Sequence, residues 1–364
     1  MDKQINSTSF SMMISALNKC LFLGLLIPYM FNVAKTSTVV SVFIGFIIGL
    51  VIFGVIMLLF NSKSDLSIVG KAKECLPKPF YFIIVHIQIF IVLMLASMLL
   101  WRLASFTTNE YLSETPTFLV AMLMAIPIFY ISINNFTVLC RFNTMCFLIG
   151  LFIIIFNFFG LLPHFDANNF KPFLIDELGN ILNASVHYAF LSACPIFMLT
   201  IIPKNNISDN KKFNKKMIIS FIYSNVVGFL IFFAVQMSLH IELINLYTYP
   251  AFAALKIINL ANFIDAVENI SSILWYIYIN LSISMCMIFI KYSITEFYNI
   301  KSKKINTIIG LSTAFLTLLI VFPFANFSYF LDKISIMKIP FYLMVALFIS
   351  FLIILFSIKI KNRN

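Results

Sequence analysis

The stretch Ser9–Val33, SFSMMISALNKCLFLGLLIPYMFNV, is apolar and long enough to cross a bilayer, yet it carries Asn18 and Lys19 near its centre. An ammonium at mid-depth costs about 3 kcal/mol on insertion scales, so it faces a protein interior, a water-filled cavity or a partner rather than lipid. Gly24 and Pro28 follow. Proline removes a backbone donor and crowds the carbonyl four residues back, which predicts a kink or opening near residue 24 that frees polar backbone. A cation beside a weakened helix can hold a small solute. Lys19 would then pair with a solute carboxylate or stand in for a bound cation; the alternative is an ion pair inside the fold.

A second irregular stretch repeats the pattern. In HYAFLSACPIFMLTII, Ser192 and Cys194 come just before Pro195, again at mid-span, and the helix is expected to be interrupted over residues 190 to 195. Exposed amides and carbonyls at the two breaks, with Asn18, Lys19, Gly24, Ser192, Cys194 and Pro195 around them, form the candidate solute site. Gln88, near mid-depth in VHIQIF, either joins that site or makes one interhelical hydrogen bond. Asp265 and Glu268, three apart, share a helix face: they suit a cation, a partner's arginine or simply the helix N-terminus.

The elements that must position these residues are membrane helices. Of 364 residues 61% are hydrophobic and only 11% charged, with mean hydropathy +1.00, which no soluble fold of this length could cover with a polar surface. About ten apolar runs of roughly 18 to 24 residues, from Phe10 to Ile358, each match a ~30 Å hydrocarbon core. The expected fold is an all-α polytopic membrane protein, residues 1–364 forming one domain, and the first apolar run is too long for a cleavable signal. The net charge of +11 describes loops, not a nucleic-acid surface. Alternate loops and the two ends hold 18 Lys/Arg against 6 in the opposite loops, which places both termini in the cytoplasm and makes the span count even. With the irregular helices standing first and sixth, an odd number of spans per half predicts a five-plus-five inverted repeat with broken helices 1 and 6.

Six cysteines, none in an outward loop, imply no external disulfide framework, and no metal-binding spacing or cofactor motif occurs. The four lysines of Asn61–Pro79 read as a topology signal on a short amphipathic helix at the inner surface. Trp101-Arg102 reads as an interfacial anchor ending the third span. Tyr249-Pro250 starts a helix expected along the outer surface.

Here the residues resemble a family. Tyr249, Pro250, Phe263, Ile264, Val267, Glu268 and Trp275 are similar in spacing to the segment before helix 8 of the spore germination permeases, with Ala266 where that family has arginine. Arg141 leading the fifth span, Leu161-Leu162-Pro163 at its exit and Lys171-Pro172 resemble the same family, whereas the first span keeps Pro28 but has Leu21 and Leu23 in place of glycines. The resemblance implies the amino acid/polyamine/organocation transporter superfamily and the B subunit of a germinant receptor in the spore inner membrane. Such a subunit senses a small nutrient, an amino acid, and signals to A and C subunits; Pro28, Arg141, Asp265, Glu268 and Trp275 would be structural or coupling residues. Two alternatives stand beside it. One is a secondary amino-acid transporter driven by protons or sodium. The other is an envelope polysaccharide polymerase, for which His164 and Asp166 are the nearest acid/base pair; no enzyme activity is the expectation.

Overall fold

The computed structural model describes residues 5–21, 26–171, 177–258, 267–327 and 333–361. The protein is an all-α polytopic membrane protein. In hydrocarbon every backbone amide must be bonded within its own segment, so the apolar runs become helices. They are α1 (Ser7–Leu21), α2 (Ile27–Ala34), α3 (Thr38–Asn61), α4 (Ile68–Cys75), α5 (Lys78–Glu110), α6 (Thr117–Ser132) and α7 (Phe136–Leu161). After these come α8 (Leu178–Ala193), α9 (Phe213–Ser238), α10 (Ile241–Leu246), α11 (Pro250–Leu255), α12 (Val267–Phe297), α13 (Lys303–Phe327) and α14 (Lys333–Lys361). Among the described residues eight helices are long and apolar enough to cross a membrane, counting Ile27–Asn61 as one; α6 is shorter.

One of the two stretches expected to be irregular is described throughout. In the first, Pro28 stands in the opening turn of α2, and the opening expected near residue 24 lies outside the described residues. The other changes at Cys194 from α8 into a tighter 3-10 helix, Cys194–Ile201, whose eight residues are all buried. Pro195 in its opening turn cannot donate to the α-ladder, which accounts for the change.

The α8 unit lies deep in the bundle against α3. A Cβ on Gly45 would lie 2.6 Å from the Ser185 carbonyl oxygen and 2.9 Å from the Tyr188 Cβ, so only glycine lets the two backbones approach this far. Gly49, four residues on, faces Ser192, completing a small-residue packing stripe of the kind membrane helices use where apolar burial gives no drive. At the centre runs α12, packed on α1, α5, α6, α7 and α13. Its Lys291 ammonium donates to the carbonyls of Ser132 (2.7 Å) and Asn134 (2.6 Å), closing the C-terminus of α6.

One end of the bundle is sealed. Short strands β1 (Ile5–Asn6) and β2 (Ile207–Ser208) pair in parallel, tying the start of α1 to the loop after α8. Behind them Phe10 packs against Phe60, Phe136 and Phe213 at 5.7 to 5.9 Å between ring centres. At the same end α4 is capped by Ser67, whose Oγ accepts from the Gly70 amide and donates to Glu296. Lys71 of α4 is buried and donates to the Leu59 carbonyl near the C-terminus of α3 (2.5 Å).

Two sequence expectations are corrected at the opposite end. α5 continues to Glu110, so Trp101-Arg102 lies within a helix rather than at an interface. Arg102 is buried, donates to the Thr248 carbonyl (3.2 Å) and stacks 4.5 Å from the Tyr249 ring centre. The helix starting at Pro250 is present as α11, but all six of its residues are buried against α2, α7, α9 and α12 instead of lying along a surface.

Candidate functional site

Three lysines are almost fully buried among the described residues: Lys19, Lys71 and Lys291. The last two end on helix C-terminal carbonyls, where a cation is matched to the partial negative charge of the dipole. Lys19 does not. Its ammonium donates to the Tyr278 hydroxyl (3.2 Å) and is ringed by Tyr278 at 4.6 Å, Phe147 at 5.3 Å and Tyr223 at 5.8 Å. Cation–π contact offsets part of the desolvation, yet no carboxylate pairs with it among the described residues. An ammonium carries three donors, so this arrangement leaves capacity for an acceptor.

A cavity of about 160 Å³ begins at Lys19. Its walls come from α7, α9, α11 and α12, and its polar groups besides Lys19 are Asn157, Ser271, Trp275 and Tyr278. Ser271 donates to the Asn157 side-chain oxygen (2.9 Å), bridging the gap between α12 and α7. Among the described residues no acidic side chain lines the cavity.

Tyr278 holds the lysine in place. Its hydroxyl accepts from Lys19 and donates to the Cys146 carbonyl (3.3 Å), and its hydroxyl end abuts Gly150, where a Cβ would come within 1.9 Å of the oxygen. Gly150 is thus the notch in α7 that admits the phenol. Asn18 is fully buried; neither its amide nitrogen nor its oxygen has a hydrogen-bond partner among the described residues, and the same is true of the Tyr223 hydroxyl and Ser15. Trp275 is buried on the cavity wall in a cluster with Phe106, Tyr249 and Phe252.

Of the residues singled out in the sequence, Lys19 and Trp275 line this cavity, and Asn18 adjoins Lys19 without lining it. Gln88 donates to Ser350 (3.1 Å), joining α5 to α14 as an interhelical hydrogen bond. Ser192 bonds back to the Ala189 carbonyl and packs on Gly49, while Cys194 and Pro195 are buried in the 3-10 helix; none of the three lines the cavity. Arg141 is exposed on α7. Glu268 stands in the first turn of α12, where a carboxylate complements the dipole. Asp166 caps the turn at Asn168 (2.8 Å). Gly24, Pro172, Phe263, Ile264 and Asp265 lie outside the described residues. The sequence reading missed Tyr278, Gly150, Asn157 and Ser271; Gly150 and Asn157 in the otherwise apolar IGLFIIIFNFF were the available signal.

The family match follows this geometry. Residues 7–328 match the family described as Spore_permease, spore germination protein. The chain belongs to that family. No curated protein matches the chain. Membership makes this a germination-related, permease-like membrane protein, and the match runs from the first residue of α1 past the end of α13, so it takes in every wall of the Lys19 cavity.

Proposed function

We propose that the chain is the membrane subunit of a spore germinant receptor, sensing a small carboxylate-bearing nutrient at Lys19, an amino acid being the case that the family resemblance implies. The observation that carries the reading is the contrast among the buried lysines. Two close helix ends, whereas Lys19 faces a cavity without an anionic partner among the described residues. On this reading the chain is one domain of the amino acid/polyamine/organocation transporter superfamily, with ten spans in a five-plus-five inverted repeat. It lies in the spore inner membrane with both termini cytoplasmic. The sealed end then faces the cytoplasm, and ligand occupancy at Lys19 is passed through α12 to A and C subunits. A polymerase reading has less support, since Asp166 serves its own turn.

Receptor and carrier are separated by reconstitution. Purified protein in proteoliposomes is expected to bind a small carboxylate without accumulating it, and to co-purify with A and C subunits when the three are expressed together. Robust, ion-driven accumulation without either subunit would make the chain a secondary transporter instead.

A further inference from the structure

Among the described residues the Lys19 cavity has a distinctive chemistry: one cation, no anion, and walls that are otherwise almost wholly apolar. A free amino acid would bring an ammonium of its own into this space with no carboxylate among the described lining residues to meet it. Burying an unpaired charge in an apolar site is the costliest arrangement available. A ligand with a single carboxyl and an apolar body leaves no group unpaired. Its carboxyl takes the spare donors of Lys19, and its body lies along Ile154, Phe158, Leu230 and Leu274.

The walls also indicate the route. At the end away from the sealed side, Leu161, Ala234, Leu255, Ile258 and Val267 form a buried apolar cluster of their own, three of which line the cavity. Sideways the cavity reaches the membrane face of the bundle: Ile155 and Phe159 line it and are 46% and 64% exposed on the outside of α7. Packed apolar side chains therefore lie at that end of the cavity, while Ile155 and Phe159 bring it to the exposed apolar face of α7.

We propose that the site takes monocarboxylic acids with an apolar chain and no amino group, drawn from the bilayer through the seam between α7 and α9. The proposal rests on Lys19 being the ligand-binding group and narrows the ligand class; its failure and that of the broader reading give different results below.

Trp275 on the cavity wall allows a direct test, because the chain has one other tryptophan, Trp101, which packs on Phe324 of α13. In a Trp101→Phe background reconstituted in vesicles, 11-bromoundecanoate is expected to quench Trp275 saturably. 4-Methylpentanoate should displace it, whereas leucine, which is the same skeleton with an added amine, and 4-methylpentan-1-ol should not. Lys19→Met should weaken the quenching by about tenfold or more. Ala234→Leu, which fills the cavity and leaves Lys19 in place, should do likewise, so a misfolded Lys19 variant does not spoil the test. Linear quenching that is equal for the acid and 11-bromoundecanol would overturn the proposal. Displacement by leucine as strong as by 4-methylpentanoate would overturn it too and leave the amino-acid reading standing; absence of binding by either acid or leucine would remove both.

Discussion

Gly150→Ala puts one methyl group where the Tyr278 hydroxyl lies. The added Cβ would be 1.9 Å from that oxygen, against an ordinary C···O contact of about 3.3 Å, so the phenol must retreat by about 1.4 Å. Its bonds to Lys19 (3.2 Å) and Cys146 (3.3 Å) have no slack and both break. Overpacking costs about 2 kcal/mol and two lost hydrogen bonds about 1 kcal/mol each, while alanine's better helix propensity returns about 1 kcal/mol. The net loss is about 3 kcal/mol, with Lys19 set free to move. Thermal unfolding in detergent should show a clearly lowered midpoint, and ligand affinity should fall with it. Tyr278→Phe in the same chain removes the clashing oxygen and leaves ring carbon Cζ at 2.9 Å as the nearest atom, so the double variant should recover part of the stability but not the affinity. A Gly150→Ala protein as stable and as active in binding as the parent would refute the claim that this notch positions the lysine.

Further outcomes concern the other two buried lysines. Lys291→Met strips the cation from the α6 carbonyls and should cost about 2 to 4 kcal/mol of stability with ligand affinity kept in whatever protein folds; unaltered stability would show that the cap is idle. Burial lowers the Lys71 amine from its ordinary 10.5 to about 8, with Asp65 opposing the shift and Lys204 adding to it. The unfolded chain therefore holds that proton over a range, from about pH 8 to 10.5, where the folded chain has released it. Stability of the parent relative to Lys71→Met should rise across this window by at most about 3 kcal/mol, the full penalty being present below pH 8. Urea melts at pH 7.5 and pH 10 check the sign, and a difference that falls with pH would contradict it.

Much of the fold was legible because it is local. Long apolar runs and the proline at 195 act within a few residues of themselves, so the helical spans and the change at Cys194 followed. The exit of α5 was misread because Trp101-Arg102 resembles a membrane-surface pair; only the distant Thr248 and Tyr249 show that it is an interior contact. Lys19 was legible as misplaced for lipid. Its surroundings were not, since Gly150, Tyr278 and Ser271 reach it from helices more than 120 residues away. Ser192 was expected at the site by analogy between two breaks, and the Gly45 and Gly49 notch turns that face of α8 onto α3 instead.

Equilibrium binding to purified Lys19→Met protein, with folding verified by its unfolding midpoint, probes the heart of the account. Affinity for a carboxylate ligand should drop by about tenfold or more while the midpoint holds or rises, since an apolar side chain suits the surrounding rings. A folded Lys19→Met protein that binds as tightly as the parent would show that the buried amine has no part in recognition.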